Sequence, residues 1–278
     1  MMESIPRSSL EDDFGFGESD FGWVCERAQT WAGLALTDAK RSLVHNRLVR
    51  RLRHLGLGSF SEYRRVVETD EHERQAFINA LTTHVTAFFR EAHHFEVLAG
   101  LAAAADDGLT IWSSACSSGE EPYSIAATLV EHMSPAGVAR SHILASDIDT
   151  DVIQTGMAGI YRHADVAAVP APYRRLFERG EGKNSGMARA KSTLRELVNF
   201  RPLNLFDAWP RGLRDLDVIF CRNALIYFDR ESQDTLIRRF VDALKPGGLL
   251  FLGHSESPGT AETRLRPIGR TAYTRSDT

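Results

Sequence analysis

The stretch Ile111–Ala126, IWSSACSSGEEPYSIA, decides the fold. An apolar, strand-like run (Leu109, Ile111, Trp112) empties into small residues from Ser113 to Gly119. Two carboxylates, a proline and a new helical pattern follow. Such a strand–loop–helix passage is the entrance of a nucleotide-type α/β fold, where small side chains let a ligand approach the backbone. Pro122 suits the first helical turn, in which its missing N–H would have had no partner. Helix N-termini that hold pyrophosphate keep negative charge away, so Glu120 and Glu121 point to a cationic ligand without phosphate. S-adenosylmethionine, with its sulfonium and ammonium groups, answers that description. The other reading is that both acids complement the helix dipole, worth about 0.3–1 kcal/mol each.

Composition sets the bounds. The chain has 278 residues, 43% of them hydrophobic, enough for one large domain or two modest ones with a substantial core. A net charge of −4 implies neither bulk affinity for nucleic acid nor attraction to a membrane surface. No apolar run approaches the ~18–20 residues of a spanning helix, and the N-terminus lacks the basic start and apolar core of a secretory signal. Cys25, Cys116 and Cys221 form no CxxC pair, so neither a disulfide framework nor a zinc site is expected. The expectation is a reduced, cytoplasmic protein without a metal.

Working outward, residues 1–20 are rich in Ser, Gly, Asp and Glu and read as a flexible tail. Residues 21–88 show helical periodicity. Leu43, Val44, Leu48, Val49, Leu52 and Leu55 form one apolar stripe, and Lys40, Arg41, Arg47, Arg50, Arg51 and Arg53 the basic face opposite. Further helices are expected over Ser61–Glu68, with Ser61 as a cap, and over Glu71–Leu81. Residues 89–278 alternate strands (Leu109–Ser113, His142–Ser146, Asp217–Cys221, Gly248–Gly253) with helices (Pro122–His132, Asp149–Ala158, Glu231–Leu244). That order predicts a parallel sheet covered on both faces. Between about 159 and 200 the alternation stops; Pro170, Pro172 and a Gly-rich turn predict an inserted small antiparallel β-subdomain.

Several residues stand where such a fold places chemistry. Asp147 ends the second strand, the position from which an acid hydrogen-bonds ribose hydroxyls; Asp149 is the better cap for the next helix. Asn204, in RPLNLFD, is a candidate for an adenine edge or a turn residue. Arg222 and Asn223 follow four apolar residues in the run Val218–Asn223, and a polar pair there is costly unless hydrogen-bonded. Tyr227 and Phe228 read either as site or as core aromatics. Leu81–Glu91, LTTHVTAFFRE, places threonines, a histidine and an arginine where helical region meets sheet, a favoured place for a pocket. His84, His93 and His94 show no metal spacing with nearby acids. LKPGGLLFLG, Leu244–Gly253, is a helix end, turn and buried strand frequent in class I methyltransferases.

Taken together, TTHVTAFFREAHHF, IWSSACSSGEEPYSIA, ASDIDT, GIYRHADV, LNLFD, IFCRNALIYFD and LKPGGLLFLGHSES resemble, from about residue 20 onward, the chemotaxis receptor methyltransferases of the CheR type. The resemblance implies a helical N-terminal domain joined to a class I, Rossmann-like S-adenosylmethionine-dependent methyltransferase sheet with an inserted β-subdomain. It implies methyl transfer to glutamate side chains of chemoreceptor cytoplasmic domains, with S-adenosylhomocysteine as product, in the cytoplasm at membrane-bound receptor arrays. Carried over by position, it implies cofactor contacts from His84, Thr86, Arg90, Glu121, Asp147, Asn204, Leu205, Arg222 and Asn223, with Arg90 and Tyr227 nearest the transferred methyl. His84 stands where the family has asparagine; a neutral imidazole also offers one donor and one acceptor, with different reach and a titratable charge. In some members the β-subdomain docks a receptor C-terminal peptide by strand addition, and the basic face at Lys40–Arg53 suits an acidic receptor bundle, its alternative being a solvated helix face.

Three rival readings remain at this stage. A nucleic-acid methyltransferase acting on base amino groups calls for an Asn/Asp-Pro-Pro-aromatic run, but Asn223 is followed by Ala-Leu-Ile-Tyr. A dinucleotide oxidoreductase calls for GxGxxG, which is missing here. A catalytically silent cofactor-binding receptor module is opposed by the retention of Arg90 and Tyr227.

Overall fold

The computed structural model describes residues 14–259 and 262–276. They divide into a helical unit, which ends at Thr83 and takes in Tyr227–Asp229, and a sheet unit of His84–Ile226 with Arg230 onward.

The helical unit contains α1 (Glu18–Ala32), α2 (Arg41–Leu55), α3 (Phe60–Thr69) and α4 (Glu71–Leu81). Gly33 and Gly56 end α1 and α2 in the left-handed region, at φ 68° and 66°, where glycine carries no Cβ penalty. The cap of α3 is Ser59 rather than Ser61, its hydroxyl accepting the Glu62 N–H at 3.2 Å. Two residues earlier lets Phe60 enter the core. From the apolar stripe, Val44, Leu48, Val49 and Leu52 are buried beside Trp23, Phe60 and Phe77, while Leu43 and Leu55 stay exposed. The tail expected over residues 1–20 lies outside the described residues for 1–13. Residues 14–20 are built into the unit: Phe16 packs edge-on against Phe60 at 4.7 Å between centroids, and α1 begins at Glu18.

The basic face of α2 is in large part structural. Arg47 donates to the carbonyl of Thr82 at 2.6 Å, closing the end of α4. Arg51 makes a forked pair with buried Glu73, at 3.0 and 2.5 Å, and the Tyr63 hydroxyl donates to the same carboxylate at 3.0 Å. Arg50 and Arg53 remain exposed.

In chain order the sheet unit comprises α5 (His93–Ala104), β1 (Thr110–Ser113), α6 (Glu120–His132), α7 (Pro135–Arg140), β2 (His142–Asp147), α8 (Thr150–Ala158), β3 (Ile160–Arg162), α9 (His163–Ala167), α10 (Ala171–Arg174), β4 (Phe177–Arg179), β5 (Met187–Ala190), α11 (Ser192–Arg195), β6 (Val198–Pro202), β7 (Leu216–Cys221), α12 (Arg230–Ala243), β8 (Leu244–Leu252), β9 (Leu265–Gly269) and β10 (Ala272–Arg275). The large sheet runs β6-β2-β1-β7-β8-β10-β9. β6, β2, β1, β7 and β8 are parallel, and β10 is antiparallel to both neighbours. Strand order therefore reverses between β1 and β7, and the crevice beyond their carboxyl ends is the expected ligand position.

The inserted sheet is antiparallel, in the order β3-β5-β4. It ends sooner than the expected boundary near 200, because β6 pairs in parallel with β2. Val198 and Phe200 turn inward while Asn199 and Arg201 face out. That alternation belongs to an edge strand, and by pattern alone it cannot be told from another strand of the insertion. β9 and β10 had no sequence counterpart.

Candidate functional site

β1 delivers the chain into a loop that needs unusual backbone. Ser117 lies at φ 49° and Gly119 at φ 100°. A Cβ on Gly119 would stand 2.7 Å from the Tyr161 hydroxyl and 3.0 Å from the Gly156 Cα, so the close approach as well as the positive φ requires glycine. α6 then starts at Glu120, putting Pro122 inside its first turn.

The carboxylates that follow are held in different ways. Glu121 is buried; it accepts from the Ser113 hydroxyl at 2.7 Å and from Arg222 Nη1 at 3.0 Å. Arg222, whose side chain is only 2% exposed, also approaches Glu91 Oε2 at 3.5 Å, and its other terminal nitrogen donates to the Arg90 carbonyl. Glu91 in turn accepts from the backbone and ring of His254, each at 3.2 Å. Two carboxylates thus share one guanidinium, leaving a net negative charge before Asp147 is counted.

Asp147, at the end of β2, accepts the Ser117 N–H at 2.9 Å on one oxygen and the Asp149 N–H at 3.0 Å on the other. Each oxygen keeps a lone pair for a further donor. Burial raises the pKa of Glu120, Glu121 and Asp147 from the ordinary carboxylate value; Arg222 opposes this at Glu121, and the two backbone N–H groups oppose it at Asp147. Glu91 is lowered despite its burial, because Arg222 and His254 outweigh desolvation. A cation entering this corner would favour the ionised form of these carboxylates.

Asp149 caps α8 as expected, accepting from the Asp151 and Val152 N–H groups at 2.8 and 3.3 Å. Its second oxygen lies 2.7 Å from His84 Nε2. Thr86 is half-buried on the same segment. Arg90, also half-buried, donates to the Val85 carbonyl at 2.7 Å. Asn204 forms a turn, its side-chain oxygen accepting the Phe206 N–H at 3.1 Å, while Leu205 is buried and its carbonyl accepts the Trp209 indole N–H at 3.0 Å. Asn223 has φ 59°, and its N–H donates to Glu256 at 2.8 Å. Tyr227 belongs to the helical unit; its carbonyl accepts the Ala35 N–H at 2.8 Å, and the Lys40 ammonium sits 5.0 Å from its ring centroid.

Sequence reasoning did not single out Glu91, Glu256 or Ser113. Glu91 and Glu256 lie within the quoted motifs FFREAHHF and GHSES, but their partners, Arg222 and the Asn223 and Gly253 N–H groups, are remote or backbone. Glu91, His93 and His94 bring ligand-type atoms within 4.8 Å of one another. Glu91 is turned to Arg222, both imidazoles approach the Arg270 carbonyl, and burial lowers the His94 pKa to about 4. The group is a hydrogen-bonding cluster.

The donor set fits a ligand with a ribose and a cationic amino-acid end. Acceptors gather beyond the ends of β1 and β2 at Asp147 and Glu121, with Glu91 paired to Arg222, and the buried Ser117 hydroxyl and Arg222 Nε have no hydrogen-bond partner among the described residues. Seven strands with one reversed, small residues after β1 and an acid ending β2 define a Rossmann-like, S-adenosylmethionine-dependent methyltransferase. Residues 84–274 match the CheR methyltransferase S-adenosylmethionine-binding domain, and residues 19–82 the all-alpha domain of the same family. A chemotaxis protein methyltransferase of Escherichia coli is 48% identical over 95% of this chain and 93% of its own length. Another, from Klebsiella aerogenes, is 49% identical over 87% of this chain and 84% of its own. The chemotaxis protein methyltransferase 2 of Pseudomonas aeruginosa is 46% identical over 94% of each chain. The chain belongs to the CheR methyltransferase family, and its cofactor is S-adenosylmethionine.

Proposed function

We propose that this enzyme transfers the methyl group of S-adenosylmethionine to glutamate carboxylates on the cytoplasmic part of chemoreceptors, forming glutamyl methyl esters. The observation that carries the site assignment is the Glu121–Arg222–Glu91 cluster with Asp147, an acceptor-rich, net negative set at the carboxyl ends of β1, β2 and β7. Asp147 takes the ribose hydroxyls and Glu121 the ammonium. Asn204 and Leu205 take the adenine side, with Thr86, Arg222 and Asn223 completing the cradle.

The bound cofactor supplies an electrophilic methyl on a sulfonium. A glutamate side chain, with an ordinary pKa of about 4.3, arrives ionised and attacks without a general base. The protein's work is to align the carboxylate, strip its water and leave it unprotonated, an alignment worth up to roughly 7–11 kcal/mol. Arg90 steers either the incoming carboxylate or the cofactor's own.

For receptor engagement, the exposed Arg50 and Arg53 on α2 offer cations to an acidic helical bundle. The free edges of the inserted sheet, β3 and β4, offer unpaired backbone to an extended receptor tail. That role would be exercised in the cytoplasm at receptor arrays. Among the described residues no helix is long and apolar enough to cross a membrane. Incubation with radiolabelled S-adenosylmethionine and receptor-containing membranes tests the reading. Label released as methanol by mild base marks an ester; base-stable label would overturn the glutamate assignment.

A further inference from the structure

Tyr161, the middle residue of β3, is buried and reaches the loop that leaves β1. Strand register explains how. Tyr161 stands opposite Ala188, and Phe177 opposite Ala190, so one face of the inserted sheet carries two rings on either side of two methyl groups. Phe88 meets both rings edge-on, at 5.0 Å from Tyr161 and 5.1 Å from Phe177 between centroids. It belongs to the Thr86–Arg90 segment, whose next residue, Phe89, is held to α6 by its N–H on the Ser124 hydroxyl at 2.9 Å. Beyond the ring contacts, the Tyr161 hydroxyl donates to the Ser118 carbonyl at 2.8 Å. Burial, reinforced by Glu120, pushes its pKa well above the ordinary value, so it remains a donor. Ser118 is flanked by two residues in the left-handed region, Ser117 at φ 49° and Gly119 at φ 100°. Such backbone persists only where its surroundings over-determine it. Here the Ser117 N–H is held by Asp147 at 2.9 Å from the end of β2, and the Ser118 carbonyl by Tyr161 from the inserted sheet.

We propose that Tyr161 is a positioning residue for cofactor binding: its hydroxyl fixes the Ser117–Gly119 turn and its ring fixes Phe88, so that the inserted sheet shapes the cofactor crevice from outside it. The inference rests on the assignment of that crevice, with Asp147, to the cofactor. Without the hydroxyl the strained turn can relax, and only the fraction of molecules with the turn in place binds. Apparent affinity scales with that fraction. A bound cofactor selects the ordered form, so saturation restores it.

The test is calorimetric titration of Tyr161→Phe with S-adenosylhomocysteine, since phenylalanine keeps the ring and removes only the donor. Affinity should fall roughly three- to tenfold, the weight of one hydrogen bond. In methylation of receptor-containing membranes, the KM for S-adenosylmethionine should rise by the same factor while kcat at saturating cofactor is retained. A merely structural role predicts a different pattern, a lower melting temperature with unchanged affinity and KM. Wild-type affinity in Tyr161→Phe overturns the proposal. If that variant does not fold, Phe88→Leu decides instead. It keeps the hydroxyl bond, removes the edge-on ring contact and should also weaken binding; wild-type affinity there overturns the proposal. Asp147→Asn, titrated alongside, separates the two readings. Weakened binding by Asp147→Asn with wild-type binding by Tyr161→Phe removes the positioning role alone; wild-type binding by both removes the crevice assignment with it.

Discussion

Arg222 Nη1 lies 3.0 Å from Glu121 Oε2, joining residues 101 positions apart through a bond buried under the carboxyl ends of β1 and β7. The guanidinium is also the counter-charge of Glu91. It is thus the keystone of the crevice as well as a candidate ligand to it.

Replacing Arg222 by Met leaves buried Glu121 and half-buried Glu91 without their cation. Breaking a buried pair in this way costs about 3–5 kcal/mol. The variant should melt well below the wild type, and a double substitution with Glu121→Gln should recover part of the loss. Equal melting temperatures for Arg222→Met and the wild type would contradict the pairing.

Glu121→Gln keeps the volume and the Ser113 contact but removes the charge that we propose holds the cofactor's ammonium. A hydrogen bond to a charged group is worth about 1.5–3 kcal/mol, so affinity for S-adenosylhomocysteine should drop roughly 10- to 100-fold. Calorimetry measures it directly. An unchanged affinity would return Glu121 to the helix-dipole role.

Burial raises Glu121 and Asp147, and the roles proposed for them, holding an ammonium and ribose hydroxyls, require both to be ionised. Affinity is therefore fully present above their folded-state pKa values and is lost as pH falls through them, toward the ordinary carboxylate range. Cofactor binding just above that range should release protons, seen as a binding enthalpy that varies with the buffer's ionisation enthalpy. Proton uptake instead would reverse the sign of the scheme.

Arg90→Ala should abolish most methyl transfer to receptor membranes while leaving the fold intact, because the side chain is half-buried and its bond to Val85 is local. Tyr227→Phe should be milder. Near-normal turnover in Arg90→Ala would take that residue out of the chemistry.

Gly119→Ala places a Cβ 2.7 Å from the Tyr161 hydroxyl on a backbone at φ 100°. The combined strain should cost about 1–3 kcal/mol and weaken cofactor binding. A wild-type melting temperature would show that the loop can rearrange.

The strands and helices around Ile111–Ala126 were legible because apolar runs, small residues and caps are local signals. Asp149 as the cap of α8 and Asp147 as the acid left over could be read from three residues of sequence. β6 and β10 were not legible: they are short edge or reversed strands whose partners lie far along the chain. The basic stripe of α2 was visible, but not its division of labour. Arg47 closes the end of α4 and Arg51 neutralises buried Glu73, and only the fold brings those acceptors within reach.

Residue order alone set the doubly wound sheet, the helical unit before it and the acidic start of α6, because periodicity and caps act over one or two turns of chain. Which acids the guanidinium of Arg222 neutralises, and that His84 lies within hydrogen-bond distance of Asp149, were decided by tertiary structure. Electrostatic partnership depends on distance in space and on the exclusion of water, and neither is written in sequence separation.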